Sequence, residues 1–188
     1  MLQEDAPATL RQRAAIVAGL RADGVEVEEI CADGDAVPTP FTVAHRFTRY
    51  GYRLTFRVVE PHWVLLSMYE RLIEKPRLGD PFTCMAWFID WLRRRQLGIA
   101  YVLGRVETRP FRRGRDLDDE RLLLYYLRWG GAEIVDVEDV PGMTRAQRMA
   151  ASLQGVRYVK VGVPDFRMPR ERARAMRPAG RDGGSDAR

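Results

Sequence analysis

Apolar and polar residues alternate with a period of two along several short stretches of the chain. The clearest is Tyr52–Glu60, where an aromatic or aliphatic side chain occupies every second position from Tyr52 to Val58. This alternation is typical of a strand with one buried face. Residues 41–47 predict its hairpin partner. Residues 62–69 predict a third strand, more central in the sheet because Trp63 to Leu66 is apolar on both faces. Further strands are predicted at 25–30, 99–107, 132–138 and 156–163.

A helical period appears in the segment 9–23, where Leu10, Ala14, Val17 and Leu20 recur at steps of three or four residues and Gly24 follows as a stop. Residues 32–40 contain Gly34, Asp35, Pro38 and Pro40 and predict a loop. We therefore expect the first helix to be only loosely attached to the rest of the fold.

Residues 82–92 are apolar except for Thr83 and Asp90, and their length of about 11 residues indicates a buried helix rather than a membrane span. Asp80 is predicted to cap this helix, with Pro81 in its first turn.

Two more helices are predicted in the second half of the chain. One covers 116–129 and has acidic residues at its start, where they favour the positive end of the helix dipole. The other begins at Thr144, since Thr144 and Gln147 have the spacing of a capping box, and it ends at Gly155.

Helices that alternate with strands after an early meander predict an α+β fold, a single mixed β-sheet packed by helices. Residues 41–163 are predicted to form the core domain, preceded by an N-terminal helix and loop at 1–40. Residues 164–188 are predicted to be a disordered Arg-rich tail, because they contain too few apolar residues to offset the entropy of ordering.

Charge is concentrated at the end of the chain. The 188 residues carry a net charge of +5. Residues 167–188 contain seven Arg and three acidic residues, a balance of +4, which leaves +1 for residues 1–166. A body so close to neutral has no general attraction for phosphate, so nucleic-acid binding is not expected; a nucleic-acid-binding regulator would have to rely on the tail. Two cysteines without a disulfide pattern favour the cytoplasm, and the sequence predicts neither an export signal nor membrane insertion.

Motifs for catalysis, cofactors and metals are not found in the sequence. His45, His62, Cys31 and Cys84 have no paired spacing that would suit a metal. Cys84 lies in an apolar helix, where burial raises a thiol pKa and makes packing its expected role. We therefore predict no catalytic, cofactor-binding or metal-binding residue.

One stripe of the 82–92 helix and its extension is a candidate for partner binding. Thr83, Trp87, Asp90 and Arg94 recur at steps of three or four residues, and an exposed Trp beside complementary charges is the mixture enriched at binding hot spots. Asp90 is expected to be solvated. Burial of Trp87 against the sheet is the alternative. The opposite stripe, predicted to face the core, consists of Phe82, Met85, Ile89 and Leu92.

The segment 80–131 carries a resemblance to a known family. It has a Pro-Phe helix start, the strand Gly-Ile-Ala-Tyr-Val-Leu-Gly at 98–104, and Leu-Tyr-Tyr-Leu-Arg-Trp-Gly-Gly-Ala at 124–132. These phrases resemble the low-calcium-response R (LcrR) regulators of bacterial type III secretion, and the likeness extends loosely from about residue 50 to 163. The resemblance implies a non-enzymatic cytoplasmic virulence regulator that binds type III secretion system proteins. Action on transcription and action on export both stay open, as does the oligomeric state.

The order of elements is also similar to that of the Gcn5-related N-acyltransferases, in which a Tyr on the corresponding helix can act as general acid. Tyr125 or Tyr126 would be the matching residue. That family holds the pyrophosphate of its acyl-CoA donor on backbone N–H groups at a helix start. Here the segment 75–81 supplies two prolines and Asp80, whose charge repels phosphate. An acyltransferase-like enzyme is therefore the alternative to the regulator.

Overall fold

A computed structural model of the chain describes residues 7–31, 43–72, 82–106 and 119–168. The helices are α1 (Pro7–Ala22), α2 (Thr83–Arg95), α3 (Asp119–Tyr125), which continues into a π-helical turn (Tyr126–Gly130), and α4 (Arg145–Leu153). The strands are β1 (Glu28–Cys31), β2 (Val43–Arg49), β3 (Tyr52–Glu60), β4 (Trp63–Arg71), β5 (Tyr101–Val106), β6 (Glu133–Val135) and β7 (Arg157–Gly162).

All of these strands form one sheet, in the order β1-β2-β3-β4-β5-β7-β6. Neighbouring strands are antiparallel except for β4 and β5, which are parallel and are connected through α2. The predicted α+β class with a single mixed sheet is confirmed, and β4 is the central strand, as its apolar run indicates. The likeness to the acyltransferase order stays a prediction.

The last strand does not add to an edge of the sheet. β7 lies between β5 and β6, so that Val159 is opposite Gly104 on one side and Ile134 on the other. Its period of two predicts a strand, but periodicity carries no information about which neighbours that strand has.

The sheet is covered on both faces. Val64 and Leu66 pack in the larger core with residues of α1, α2 and α3, whereas Leu65 lies in a second core with Ala151 of α4. Successive residues of a strand point to opposite faces, so the part of a strand that is covered on both faces is apolar at successive positions, as Trp63 to Leu66 is. This explains the continuous apolar run in β4.

The first helix is firmly packed, which corrects the expectation that it is loosely attached. Ile16 and Leu20, one turn apart on α1, are fully buried in the larger core. The Gln12 side chain accepts a hydrogen bond from the backbone N–H of His62 at 2.7 Å and donates one to the carbonyl of Leu97 at 3.0 Å. The apolar stripe of α1 is buried in the core, so the helix is held in place even though a loop connects it to the next strand.

Several element boundaries differ from the predicted ones. Within the described residues α2 begins at Thr83, and Phe82 at its N-cap makes no side-chain capping bond; the predicted Asp80 cap lies outside those residues. The strand predicted at 132–138 is only three residues long, because a short 3₁₀ turn (Val137–Asp139) follows β6.

The capping box that starts α4 is confirmed. The Thr144 hydroxyl accepts a hydrogen bond from the backbone N–H of Gln147 at 3.3 Å, and the Gln147 side-chain oxygen accepts one from the backbone N–H of Thr144 at 2.7 Å. Both donors would otherwise lack intrahelical partners.

The end of the described chain also contacts the core. Phe166 is 2% exposed and packs in the larger core. Residues 169–188, most of the predicted tail, lie outside the described residues, so the disorder of the tail and the domain limits stay predictions. Of the helices in the described ranges, none is long and apolar enough to cross a bilayer.

Candidate functional site

Helix α2 presents two different faces, as its sequence predicts. The core stripe of Phe82, Met85, Ile89 and Leu92 is buried. On the outer stripe, Thr83, Trp87 and Asp90 are half-buried and the Arg94 side chain is 57% exposed. The structure therefore brings the four predicted residues together on one side of the helix.

Trp87 is half-buried, so it is neither fully exposed nor fully buried against the sheet. Its ring contacts Phe47 edge-on, with the centroids 5.8 Å apart, and the guanidinium of Arg49 lies 4.0 Å from its centroid. The ring nevertheless remains partly accessible. Trp87 is thus neither a freely exposed residue nor a core residue, but an aromatic surface held in place by its neighbours.

Asp90 is less solvated than expected, and the interpretation of it as a solvated carboxylate is wrong. Its side chain is 14% exposed and pairs with Arg93 at 2.8 Å and Arg94 at 2.9 Å. Both arginines stand within one helical turn of Asp90, where side chains on a helix meet.

An open groove of about 580 Å³ runs beside the outer stripe. We call it the arginine–tryptophan groove; its lining residues are Asp23, Arg49, Trp87, Trp91, Arg94 and Arg95. Asp23, just after α1, accepts hydrogen bonds from the indole N–H of Trp91 at 2.6 Å and from Arg95. These two hydrogen bonds, first that of Arg95, hold the pKa of the Asp23 carboxyl below its usual value.

Arg49 is placed in the groove by the turn between β2 and β3. Tyr50 and Gly51 both have positive φ angles, 55° and 79°, and they reverse the chain directly after Arg49. The buried Nε of Arg49 makes no hydrogen bond, and no carboxylate pairs with Arg49, within the described residues. Its guanidinium makes cation–π contacts with two rings, that of Trp87 at 4.0 Å and that of Tyr50 at 5.0 Å from the centroid.

Four of the groove residues were not predicted from the sequence: Asp23, Arg49, Trp91 and Arg95. Trp91 follows Trp87 by four residues, and this spacing is a usable signal that both lie on neighbouring positions of α2. Asp23 and Arg49 come from other elements, and nothing in their local sequence indicates that they meet α2.

Tyr125 and Tyr126, the tyrosines matched to the acyltransferases, pack against the start of α2. The Tyr125 ring stacks on Phe82 with centroids 4.1 Å apart, and buried Tyr126 meets the same ring at 5.5 Å. They border an apolar cavity, and the described residues that line it include no charged side chain. The turn at 75–81 lies outside the described residues.

Cys84 faces the core. Its side chain is fully buried, and burial raises the pKa of the thiol to about 12. The expectation of a packing role with a raised thiol pKa is confirmed.

Aromatic and basic side chains therefore form a surface along α2, in which neighbouring residues hold the Trp87 ring in place. The family model of the type III secretion system regulators (LcrR) matches residues 14–144, and the chain belongs to that family. All the residues that line the arginine–tryptophan groove fall within the matched segment, whereas α4 and β7 lie beyond it. No curated protein matches the chain. The resemblance seen in the sequence is therefore confirmed, and the protein is a regulator of type III secretion.

Proposed function

We propose that this regulator acts without catalysis, in the bacterial cytoplasm, by binding a protein of the type III secretion apparatus. The proposed contact is the outer stripe of α2, formed by Thr83, Trp87, Asp90 and Arg94. The observation that carries the proposal is the environment of Trp87, a partly accessible ring fixed between Phe47 and Arg49.

A fixed aromatic side chain suits binding for an entropic reason. Ordering a free side chain at an interface costs about 0.5–1.5 kcal/mol, and a ring that is already held avoids most of that cost. Trp and Arg are also the residue types that most often dominate interface energies. The ion pairs of Asp90 with Arg93 and Arg94 then form a polar edge beside the ring.

The proposal is tested by recovering secretion proteins from the native bacterium with the tagged full chain and with Trp87→Ala. We expect the variant to recover the partner at least about tenfold less well, because removing an interface Trp costs about 2 kcal/mol or more of binding. Unchanged recovery by a folded Trp87→Ala protein would contradict the proposal.

Trp63 provides a matched control. It is also half-buried and also stacks on an aromatic ring, that of Tyr101 at 4.4 Å, but it packs with the second core, together with α4. Trp63→Ala should lower the melting temperature by a similar amount and leave partner recovery intact. If both variants lose the partner equally, the loss reflects stability and the α2 contact is wrong.

A separate titration distinguishes the regulator from the acyltransferase alternative. Calorimetry with acetyl-CoA should show no binding by the full chain. Micromolar affinity that is abolished by changes in residues 77–81 would overturn the non-enzymatic proposal.

A further inference from the structure

We infer that the arginine–tryptophan groove receives a carboxylate side chain from an acidic segment of the partner protein, with Arg49 as the residue that binds it. The inference rests on the proposed function, since it names the chemistry of the partner that meets α2.

Arg49 is half-buried in the groove and has unused hydrogen-bonding capacity. The Trp87 ring covers one face of its guanidinium, and the Tyr50 ring lies 5.0 Å away. Its Nε is buried without a hydrogen bond in the described residues, so the donors that a ligand can reach are the terminal N–H groups. A guanidinium offers five N–H donors in a planar fork that matches a carboxylate. Stacking on a ring covers a face of the guanidinium and leaves the N–H donors at its edge. Because Arg49 lines the open groove, its terminal N–H groups can meet an acceptor that enters there.

Among the arginines that line the groove, Arg49 has no carboxylate partner in the described residues. The groove is lined by three arginines and one aspartate. Arg95 is paired with Asp23, and Arg94 is paired with Asp90 at the edge of the stripe. A carboxylate beside Arg49 would complete this pattern, and the surrounding arginines would attract it.

A protein segment suits the groove better than a nucleic acid does. A single strand of nucleic acid is bound by stacking its bases on aromatic faces and by tracking a continuous row of phosphates. Here Arg49 covers one face of the Trp87 ring, and Trp91 is only 3% exposed. Asp23 and Asp90 also interrupt the row of arginines and would repel successive phosphates. A protein segment with single carboxylates between apolar residues needs neither free ring faces for base stacking nor a continuous row of cations.

The test titrates the full chain with a twelve-residue peptide of alternating Glu and Ser, and with the matching Gln and Ser peptide, in low salt. We expect the Glu peptide to shift the indole N–H resonances of Trp87 and Trp91 and the Gln peptide to leave them unchanged. Arg49→Met should weaken binding by about tenfold or more, because a charge-assisted bidentate pair is lost. Arg49→Lys should restore only part of it, since Lys lacks the planar fork.

Arg46→Met is the control on the same strand. Arg46 is also half-buried, but it is already paired with Glu28 at 2.6 Å, so its removal should not change peptide binding. Met retains an apolar side chain against Trp87, and equal melting temperatures of the two variants would show that the fold is kept. Equal loss of binding in both variants, absence of shifts at Trp87 and Trp91 at millimolar peptide, or tighter binding of oligothymidine at the groove would each overturn the inference.

Partner recovery separates this inference from the proposed function. If Trp87→Ala loses the secretion partner and Arg49→Met does not, the α2 contact stands and the carboxylate in the groove is wrong. If Arg49→Met loses the partner as well and Arg46→Met keeps it, both are supported. If neither Trp87→Ala nor Arg49→Met loses it, both fail.

Discussion

The indole N–H of Trp91 donates a hydrogen bond of 2.6 Å to the carboxylate of Asp23, 68 positions earlier in the chain. The second carboxylate oxygen accepts a hydrogen bond from Arg95. Asp23 stands directly after α1, and Trp91 and Arg95 belong to the last two turns of α2. One side chain therefore joins the ends of two helices and provides the buried indole N–H with its acceptor.

This pairing predicts a pH-dependent contribution to stability. The folded pKa of Asp23 is lowered from about 3.8, first by the Arg95 hydrogen bond and then by that of Trp91. Ionised Asp23 therefore stabilises the folded state above about pH 4, and this contribution is lost as the pH falls through the folded pKa. Urea unfolding of wild type and Asp23→Asn should differ at about pH 6, and the difference should shrink at about pH 3. The exposed Asp136→Asn variant is the control; an equal pH-dependent difference there would contradict the prediction.

The packing of α1 predicts a large effect of truncating its core stripe. Leu20 is fully buried, so Leu20→Ala should lower the free energy of unfolding by about 2–5 kcal/mol. Leu10, on the same helix, is 41% exposed, and Leu10→Ala should change the free energy of unfolding by less than about 0.5–1 kcal/mol. Chemical denaturation measures both. Similar small effects would mean that α1 is not part of the cooperative core.

Local patterns predicted the elements of the fold better than their arrangement. The alternation in β3 and the apolar run in β4 reflect burial of one face or of both, and burial acts on each residue separately. The position of β7 between β5 and β6, in contrast, depends on pairings between distant segments. The packing of α1 likewise depends on residues far along the chain, and the composition of the 32–40 loop carries no information about it.

The candidate site shows the same division. Helical spacing was enough to place Thr83, Trp87, Asp90 and Arg94 on one side of α2, because those positions lie within a few turns of each other. The groove beside them requires Asp23 after α1 and Arg49 at the end of β2. Such residues become visible only when the chain is folded, so the sequence predicted the stripe and not the groove.

Burial of Cys84 predicts an unreactive thiol. With a pKa of about 12, only about one thiol in ten thousand is ionised at pH 8, and the thiolate is the reactive form. In a Cys31→Ser background, iodoacetamide should modify the folded protein at least about a hundredfold more slowly than the protein unfolded in urea. Equal rates for the folded and unfolded protein would show that Cys84 is accessible and would contradict its burial in the core.

The capping box predicts a measurable cost of removing the Thr144 hydroxyl. Thr144→Ala should destabilise the protein by about 1 kcal/mol, because the N–H of Gln147 loses its acceptor at the start of α4. Thr144→Ser keeps a hydroxyl at the same place and should retain most of the stability. Thermal unfolding of the three proteins provides the comparison. An equal loss in the Ser and Ala variants would assign the effect to the methyl group instead.

The position of β7 also fixes the order in which the sheet can be completed during synthesis. β7 pairs with β6 on one side and with β5 on the other, and β5 pairs with β4 on its far side. Until residues 157–162 leave the ribosome, β5 therefore has one unpaired edge, and β6 has no partner strand in the described sheet. An unpaired strand edge is a template for pairing with other chains. A nascent chain that ends before residue 157 is therefore expected to require protection from a chaperone, and one extended past residue 162 can close its own sheet.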